Sequence, residues 1–199
     1  MLRKGLLLVV SGPSGAGKGT ICKELLERDK DICLSISATT RDPRPGEVHG
    51  KNYYFIEKEE FIERIGNNAF LEHAEVYGNY YGTPQKEVLE QLEKGKDVLL
   101  EIDIQGALKV KEQYKDGVFI FIVPPSMEEL KNRLESRGTE TKESMIRRFE
   151  SAYDEIKYVF KYDYAVVNDE VDKAVDKIQA IIEAEKCRVH RQKNFIEGL

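Results

Sequence analysis

Apolar and polar positions follow one another along this chain in two kinds of block. Short apolar runs at 6–10, 32–36, 98–104, 118–123 and 164–167 have the form of strands, those at 6–10 and, with its two carboxylates Glu101 and Asp103, 98–104 of the kind buried in a parallel sheet. Between them, apolar residues recur every three or four positions. Ile21, Leu25 and Leu26 share one helical face opposite Lys23, Glu24 and Glu27; Leu130 and Leu134 share another; Val171, Val175, Ile178 and Ile182 form a third. The pattern predicts a further helix over 84–93 that ends at Gly95, and Ser126 as the N-cap of the helix holding Leu130. Strands alternating with helices predict a parallel α/β sheet covered on both faces.

Two stretches break this alternation. Residues 37–47 have no apolar periodicity and carry Pro43, Pro45 and Gly46 among hydroxyls and guanidinium groups, which predicts an exposed, functional loop. Residues 53–82 mix β-like pieces at 53–56 and 70–77 with a helical piece around Phe61, Ile62 and Ile65, and read as a small excursion outside the main sheet. The densely charged segment 128–150 reads either as a mobile lid or as a solvated helix pair.

Length and composition narrow the class. A chain of 199 residues suits one domain with a sizeable core, and 41% hydrophobic with 34% charged residues suits a soluble globular protein rather than a disordered one. No apolar run approaches the ~20 residues of a membrane span. The basic start at Arg3 and Lys4 runs straight into the first buried strand rather than into a signal peptide. Cys22, Cys33 and Cys187 are an odd set without a C-x-x-C pair, which points to a reducing cytoplasm rather than to disulfides or zinc. A net charge of −5 argues against nucleic acid as a partner.

Chemistry enters at Gly12, Pro13, Ser14, Gly15, Ala16, Gly17, Lys18, Gly19 and Thr20, between the first apolar run and the first helical pattern. Consecutive backbone N–H groups wrap a phosphate only where no Cβ blocks them, a helix N-terminus favours an anion, and a lysine at this spacing reaches the β- and γ-phosphates of a nucleoside triphosphate. The strict motif places a hydroxyl for Mg²⁺ directly after the lysine. Here Gly19 stands there and the hydroxyl follows at Thr20, so the metal is expected through water or from elsewhere. The cradle by itself leaves ATPase, GTPase, small-molecule kinase and inactive binder open. Two arginine sets, Arg41 with Arg44 and Arg133 with Arg137 and Arg148, suit two phosphate-bearing substrates.

Five segments then carry a resemblance: Ser-Gly-Pro-Ser-Gly-Ala-Gly-Lys at 11–18, Ser-x-Thr-Thr-Arg-x-x-Arg-x-Gly-Glu at 37–47, Gly-Asn-Tyr-Tyr-Gly-Thr at 78–83, Ile-Asp-Ile-Gln-Gly at 102–106 and Arg-Gly-Thr-Glu at 137–140. In order and spacing the chain resembles the guanylate kinases, nucleoside monophosphate kinases of the P-loop type. The resemblance implies a three-layer P-loop fold with a parallel core sheet flanked by helices, a small GMP-binding excursion and a helical lid. Along the single domain 1–199 this places the core at about 1–36, 84–125 and 160–199, the GMP-binding region at about 37–83 and the lid at about 126–159.

The same resemblance implies ATP and GMP as substrates and Mg²⁺ as cofactor. It implies that Ser37, Arg41, Arg44, Tyr53 and Tyr81 hold the GMP phosphate and that Glu72, Thr83 and Asp103 read guanine. The loop 12–20 and Asn168 would bind ATP, and Lys18, Arg41, Arg133, Arg137 and Arg148 would act on the transferring group. Thr20 and Glu101 are the candidates for ordering the metal. Packed aromatics remain the alternative for Tyr53 and Tyr81, and a protein-interaction module or a kinase for another monophosphate the alternative for the whole. His49, His73 and His190 are isolated and suggest no metal site.

Overall fold

The computed structural model describes residues 4–76, 78–135 and 142–198, without the side chains of 142–148 and 194–195. Along the chain run β1 (Leu7–Ser11), α1 (Lys18–Arg28), β2 (Ile32–Leu34), β3 (Ala38–Thr39), β4 (Tyr54–Phe55), α2 (Lys58–Gly66), β5 (Phe70–Val76), β6 (Asn79–Pro84) and α3 (Gln85–Glu93). There follow β7 (Asp97–Glu101), α4 (Ile104–Gln113), β8 (Val118–Val123), α5 (Met127–Glu135), α6 (Lys142–Ile156), a 3-10 turn over Lys157–Lys161, β9 (Tyr164–Val167) and α7 (Val171–Lys186).

Five strands form a parallel sheet in the order β2-β7-β1-β8-β9. Strand β1 lies at its centre, and its alternation explains the three layers. Leu8 and Val10 point to one face, where they meet Ile21 and Leu25 of α1 and Val175, Ile178 and Ile182 of α7. Leu7 and Val9 point to the other, against Val88 and Leu92 of α3 and Ala107 and Val110 of α4. All of these are essentially buried, and each Val, Leu and Ile among them contributes roughly 1.5–3 kcal/mol by leaving water. The apolar runs of β1 and β8 are continuous because both sides of these strands are interior, whereas the edge strands β2 and β9 leave Leu34 and Val167 exposed.

A second, four-stranded sheet, ordered β4-β3-β6-β5, is built from the excursion and has its own small core of Ala38, Phe61 and Phe70, with Phe61 stacked on Phe70 at 4.4 Å. Three expectations are corrected here. Residues 37–47 are not wholly an exposed loop, since Ala38 and Thr39 are fully buried in β3. The excursion holds a strand beyond the β-like pieces expected at 53–56 and 70–77, since residues 79–84 pair antiparallel with β5 and the helix expected from 84 begins at Gln85. The run 98–104 does not continue as one strand: β7 stops at Glu101, and Asp103 caps α4, its Oδ1 accepting from the Gly106 N–H at 2.7 Å.

Ser126 caps α5 as expected, accepting from the Glu129 N–H at 3.0 Å. The helices α5 and α6 pack on each other through Leu130, Leu134 and Ala152, with Phe149 and Met127 against them. This pair is also set against the glycine loop, because a Cβ at Gly15 would lie 2.9 Å from Leu130 Cδ1. Arg137 and the rest of 136–141, where the segment between the two helices was expected to turn, lie outside the described residues.

Candidate active site

The glycine loop lies at the C-terminal edge of the core sheet, where parallel strands present ligand sites. It leaves β1 after Ser11 and enters α1 at Lys18, with Gly12, Gly15 and Gly17 all at positive φ. Gly17 is the N-cap of α1 at φ 93° and no side chain caps the first turn, the condition in which a helix N-terminus can take up an anion. Behind Gly17 lies Asn168, almost fully buried, whose Nδ2 donates to the Ala16 carbonyl at 2.8 Å. A Cβ on Gly17 would fall 2.3 Å from that same nitrogen. Asn168 therefore braces the loop from beneath.

Lys18 folds back over the loop and donates to the carbonyls of Gly12 at 2.6 Å and Pro13 at 3.1 Å. Burial lowers its pKa, while Glu101 and Glu155 favour its charge. Arg133 is held near the loop, donating from Nε to Glu129 Oε1 at 2.9 Å and from NH2 to the Asn168 carbonyl at 3.2 Å. The Arg148 side chain lies outside the description, as Arg137 does.

Glu101 ends β7 beside the loop. A Cβ on Gly19 would meet its Oε1 at 3.3 Å, so the place where the strict motif sets a hydroxyl is faced here by a carboxylate. The surrounding protein pushes its pKa up, against the pull of Lys18. Gly19 and Thr20 are exposed. Among the described residues no three His, Cys, Asp or Glu side chains group to hold a metal.

The second sheet supplies the other half. Thr39 Oγ1 donates to the Tyr80 carbonyl at 2.9 Å and accepts from the Arg41 N–H at 3.2 Å, while Thr40 Oγ1 accepts from the Tyr80 N–H at 2.9 Å. Two hydroxyls thus pin β3 to β6 and fix where Arg41 leaves the strand. Its guanidinium forms a two-pronged pair with Glu47 at 3.0 Å on each arm and lies over the rings of Tyr53 at 5.5 Å and Phe55 at 5.8 Å. Tyr81 meets Tyr53 edge to face at 6.1 Å. Glu47 also accepts from the Arg44 N–H at 2.7 Å, but the Arg44 side chain is exposed. Glu47 closes the 37–47 motif, and its spacing from Arg41 alone does not reveal the pairing.

Glu72 and Thr83 face each other across β5 and β6. Thr83 Oγ1 donates to Glu72 Oε1 at 2.7 Å, both side chains being buried. Burial raises the Glu72 pKa; the Thr83 hydrogen bond opposes this and Asp103 adds to it. Asp103 itself is exposed at the start of α4. Ser37, Tyr53, Thr83 and Glu101 line one cavity of about 130 Å³ together with Asn52 and Ile102. A larger hollow of about 680 Å³ at Ala69, Gln85 and Leu89 includes none of these groups. Converging polar groups mark a site better than volume does, and they favour the smaller cavity.

Comparison with known proteins gives a concordant result. A family model described as guanylate kinase matches residues 4–185. The guanylate kinase of Clostridium tetani is 68% identical over 195 residues, 98% of this chain and 93% of that protein. That of Caldanaerobacter subterraneus is 66% identical, covering 97% of this chain and 94% of the relative. The crystal structure of guanylate kinase from Anaplasma phagocytophilum superposes with a TM-score of 0.76 at 40% identity, over 95% of this chain and 90% of that one.

Proposed function

The chain belongs to the guanylate kinase family, enzymes that move a phosphoryl group from ATP to GMP, and on that premise we propose how its own residues divide the work. The observation that carries the reading is the place of Glu101. Its carboxylate faces Gly19, where an added Cβ would meet Oε1 at 3.3 Å, and it also lines the cavity shared by Ser37, Tyr53 and Thr83, which supports a reading in which the two halves open onto one site.

ATP binds with its phosphates on the loop 12–20. Lys18 leaves the Gly12 and Pro13 carbonyls to follow the β- and γ-phosphates, and Asn168 keeps the loop in shape. GMP lies against the second sheet, its phosphate on Arg41, with Tyr53, Tyr81, Ser37 and Arg44 as further donors. Arg41 arrives paired with Glu47, which holds the fork flat and oriented before substrate takes its place. Glu72 accepts from the guanine N–H donors, with Asp103 beside it. The Thr83 proton is committed to Glu72, so the hydroxyl meets the base as an acceptor unless it turns.

An oxygen of the GMP phosphate attacks the γ-phosphorus while the bond to the β–γ bridging oxygen breaks, leaving ADP. The attacking group is already anionic, so positioning and positive charge suffice without a general base. Arg133 of α5 and Arg148 of α6, together with Arg137, supply that charge, and closure of the two helices over the phosphates excludes water. Glu101 and Thr20 would hold Mg²⁺ through water, and the ion would screen the β- and γ-phosphates. A protein-interaction module is disfavoured by the intact cradle and Lys18.

No helix among the described residues is long and apolar enough to cross a membrane, and we place the enzyme in the cytoplasm with its nucleotide substrates. A coupled assay of ADP release from ATP with GMP, AMP, CMP and UMP tests the reading. Turnover with GMP far above the rest is expected; equal turnover with AMP would sink the base-reading role.

A further inference from the structure

The glycine loop already carries an anion of the chain's own. Glu155, in the last turn of α6, places Oε2 3.4 Å from the backbone N–H of Ser14. Its other oxygen accepts a 2.9 Å hydrogen bond from Ser151 Oγ, one turn earlier, which fixes the rotamer that reaches the loop. Its charge also bears on Lys18, on the same side as that of Glu101. A carboxylate and a phosphate make the same demands here: both are acceptor-only anions that seek backbone N–H donors and a nearby ammonium. They cannot share the place, because like charges a few ångströms apart in a partly desolvated cleft repel strongly. The Ser14 bond is longer than the ~2.7–2.9 Å of strong charge-assisted bonds, which makes it a contact that arriving phosphates can displace.

We propose that Glu155 is a built-in counter-anion of the phosphate loop, competing with the nucleotide's phosphates for the Ser14 N–H and for Lys18 and thereby setting the affinity for ATP. This rests on the reading of 12–20 as the ATP site.

Titration calorimetry with ADP and with inorganic tripolyphosphate tests this on the wild type, Glu155→Gln, Glu155→Asp and Lys18→Ala. Loss of the competing charge should tighten both ligands roughly threefold to tenfold in Glu155→Gln. Glu155→Asp, one methylene short of Ser14, should shift the same way and serves if the first variant folds poorly. The tripolyphosphate arm assigns the effect to phosphate rather than to adenosine. Unchanged or weaker binding in both Glu155 variants, with Lys18→Ala clearly weakened, would overturn this proposal alone. Full binding of both ligands in Lys18→Ala would overturn the assignment of the loop as the phosphate site, and this inference with it.

Discussion

Thr83 spends its hydroxyl proton on Glu72, in a 2.7 Å hydrogen bond between two buried side chains of neighbouring strands. Burial outweighs that bond and leaves the Glu72 pKa above its ordinary value. For a carboxyl raised on folding, both states are protonated at low pH. As pH rises the unfolded chain ionises first, so the folded state loses relative stability until the folded pKa is passed. Glu72 therefore lowers stability at neutral pH. Urea unfolding of Glu72→Gln should show a more favourable difference from wild type at pH 7.5 than at pH 4, and a difference that is the same at both values would refute this.

Lys18 presents the opposite chemistry with the same consequence for stability. Its charge is held under burial that lowers its pKa, and among the described residues its hydrogen bonds go to two carbonyls of its own loop. Lys18→Ala should therefore leave the unfolding midpoint at or above that of wild type while kcat falls roughly 10²-fold or more, the scale seen on removal of a donor that acts on transition-state charge. A variant that unfolds early yet turns over normally per folded molecule would contradict the assignment.

The brace beneath the loop can be tested at Gly17. Alanine there meets two obstacles, a φ of 93° and the Asn168 nitrogen 2.3 Å from the new Cβ. Strain of roughly 1–2 kcal/mol adds to about 1–3 kcal/mol for a buried amide deprived of its partner. Gly46 supplies the control: its φ is 88° but nothing lies within 4 Å of a Cβ, so Gly46→Ala carries the strain alone. Thermal unfolding should separate the two variants by several degrees, with KM for ATP raised only in Gly17→Ala; equal behaviour of the pair would remove Asn168 from the account.

Where hydrophobic periodicity was unbroken, the sequence was easily legible. Strands β8 and β9 and the buried face of α7 are read directly from apolar runs and from the spacing of Val175, Ile178 and Ile182. The pattern failed where another force set the boundary. Ile102 and Ile104 continue the apolar run of β7, but the side chain of Asp103 between them binds the Gly106 N–H and turns the chain into a helix. Strand β3 has only two residues and β6 mixes Asn79, Gly82, Thr83 and Pro84 with two tyrosines, so neither shows an apolar run, and the Thr39 and Thr40 hydroxyls on Tyr80 add to their backbone pairing. In the site, residue types were legible through family motifs, but partners were not. The Glu72–Thr83 pair depends on the β5/β6 register, Glu47 on the fold of its loop, and Glu155 looks like any charge on a helix surface until α6 is packed beside Ser14.

The central claim is that one site carries ATP on the glycine loop and reads guanine through Glu72. IMP differs from GMP only in lacking the exocyclic amine that a carboxylate accepts from. A coupled assay of ADP release with GMP and IMP on wild type and Glu72→Gln tests the claim most directly. A charged hydrogen bond of about 1.5–3 kcal/mol predicts a wild-type preference for GMP of roughly tenfold or more in kcat/KM, narrowed about tenfold in the variant with KM for ATP unchanged. A GMP-to-IMP ratio that stays the same in Glu72→Gln would contradict it.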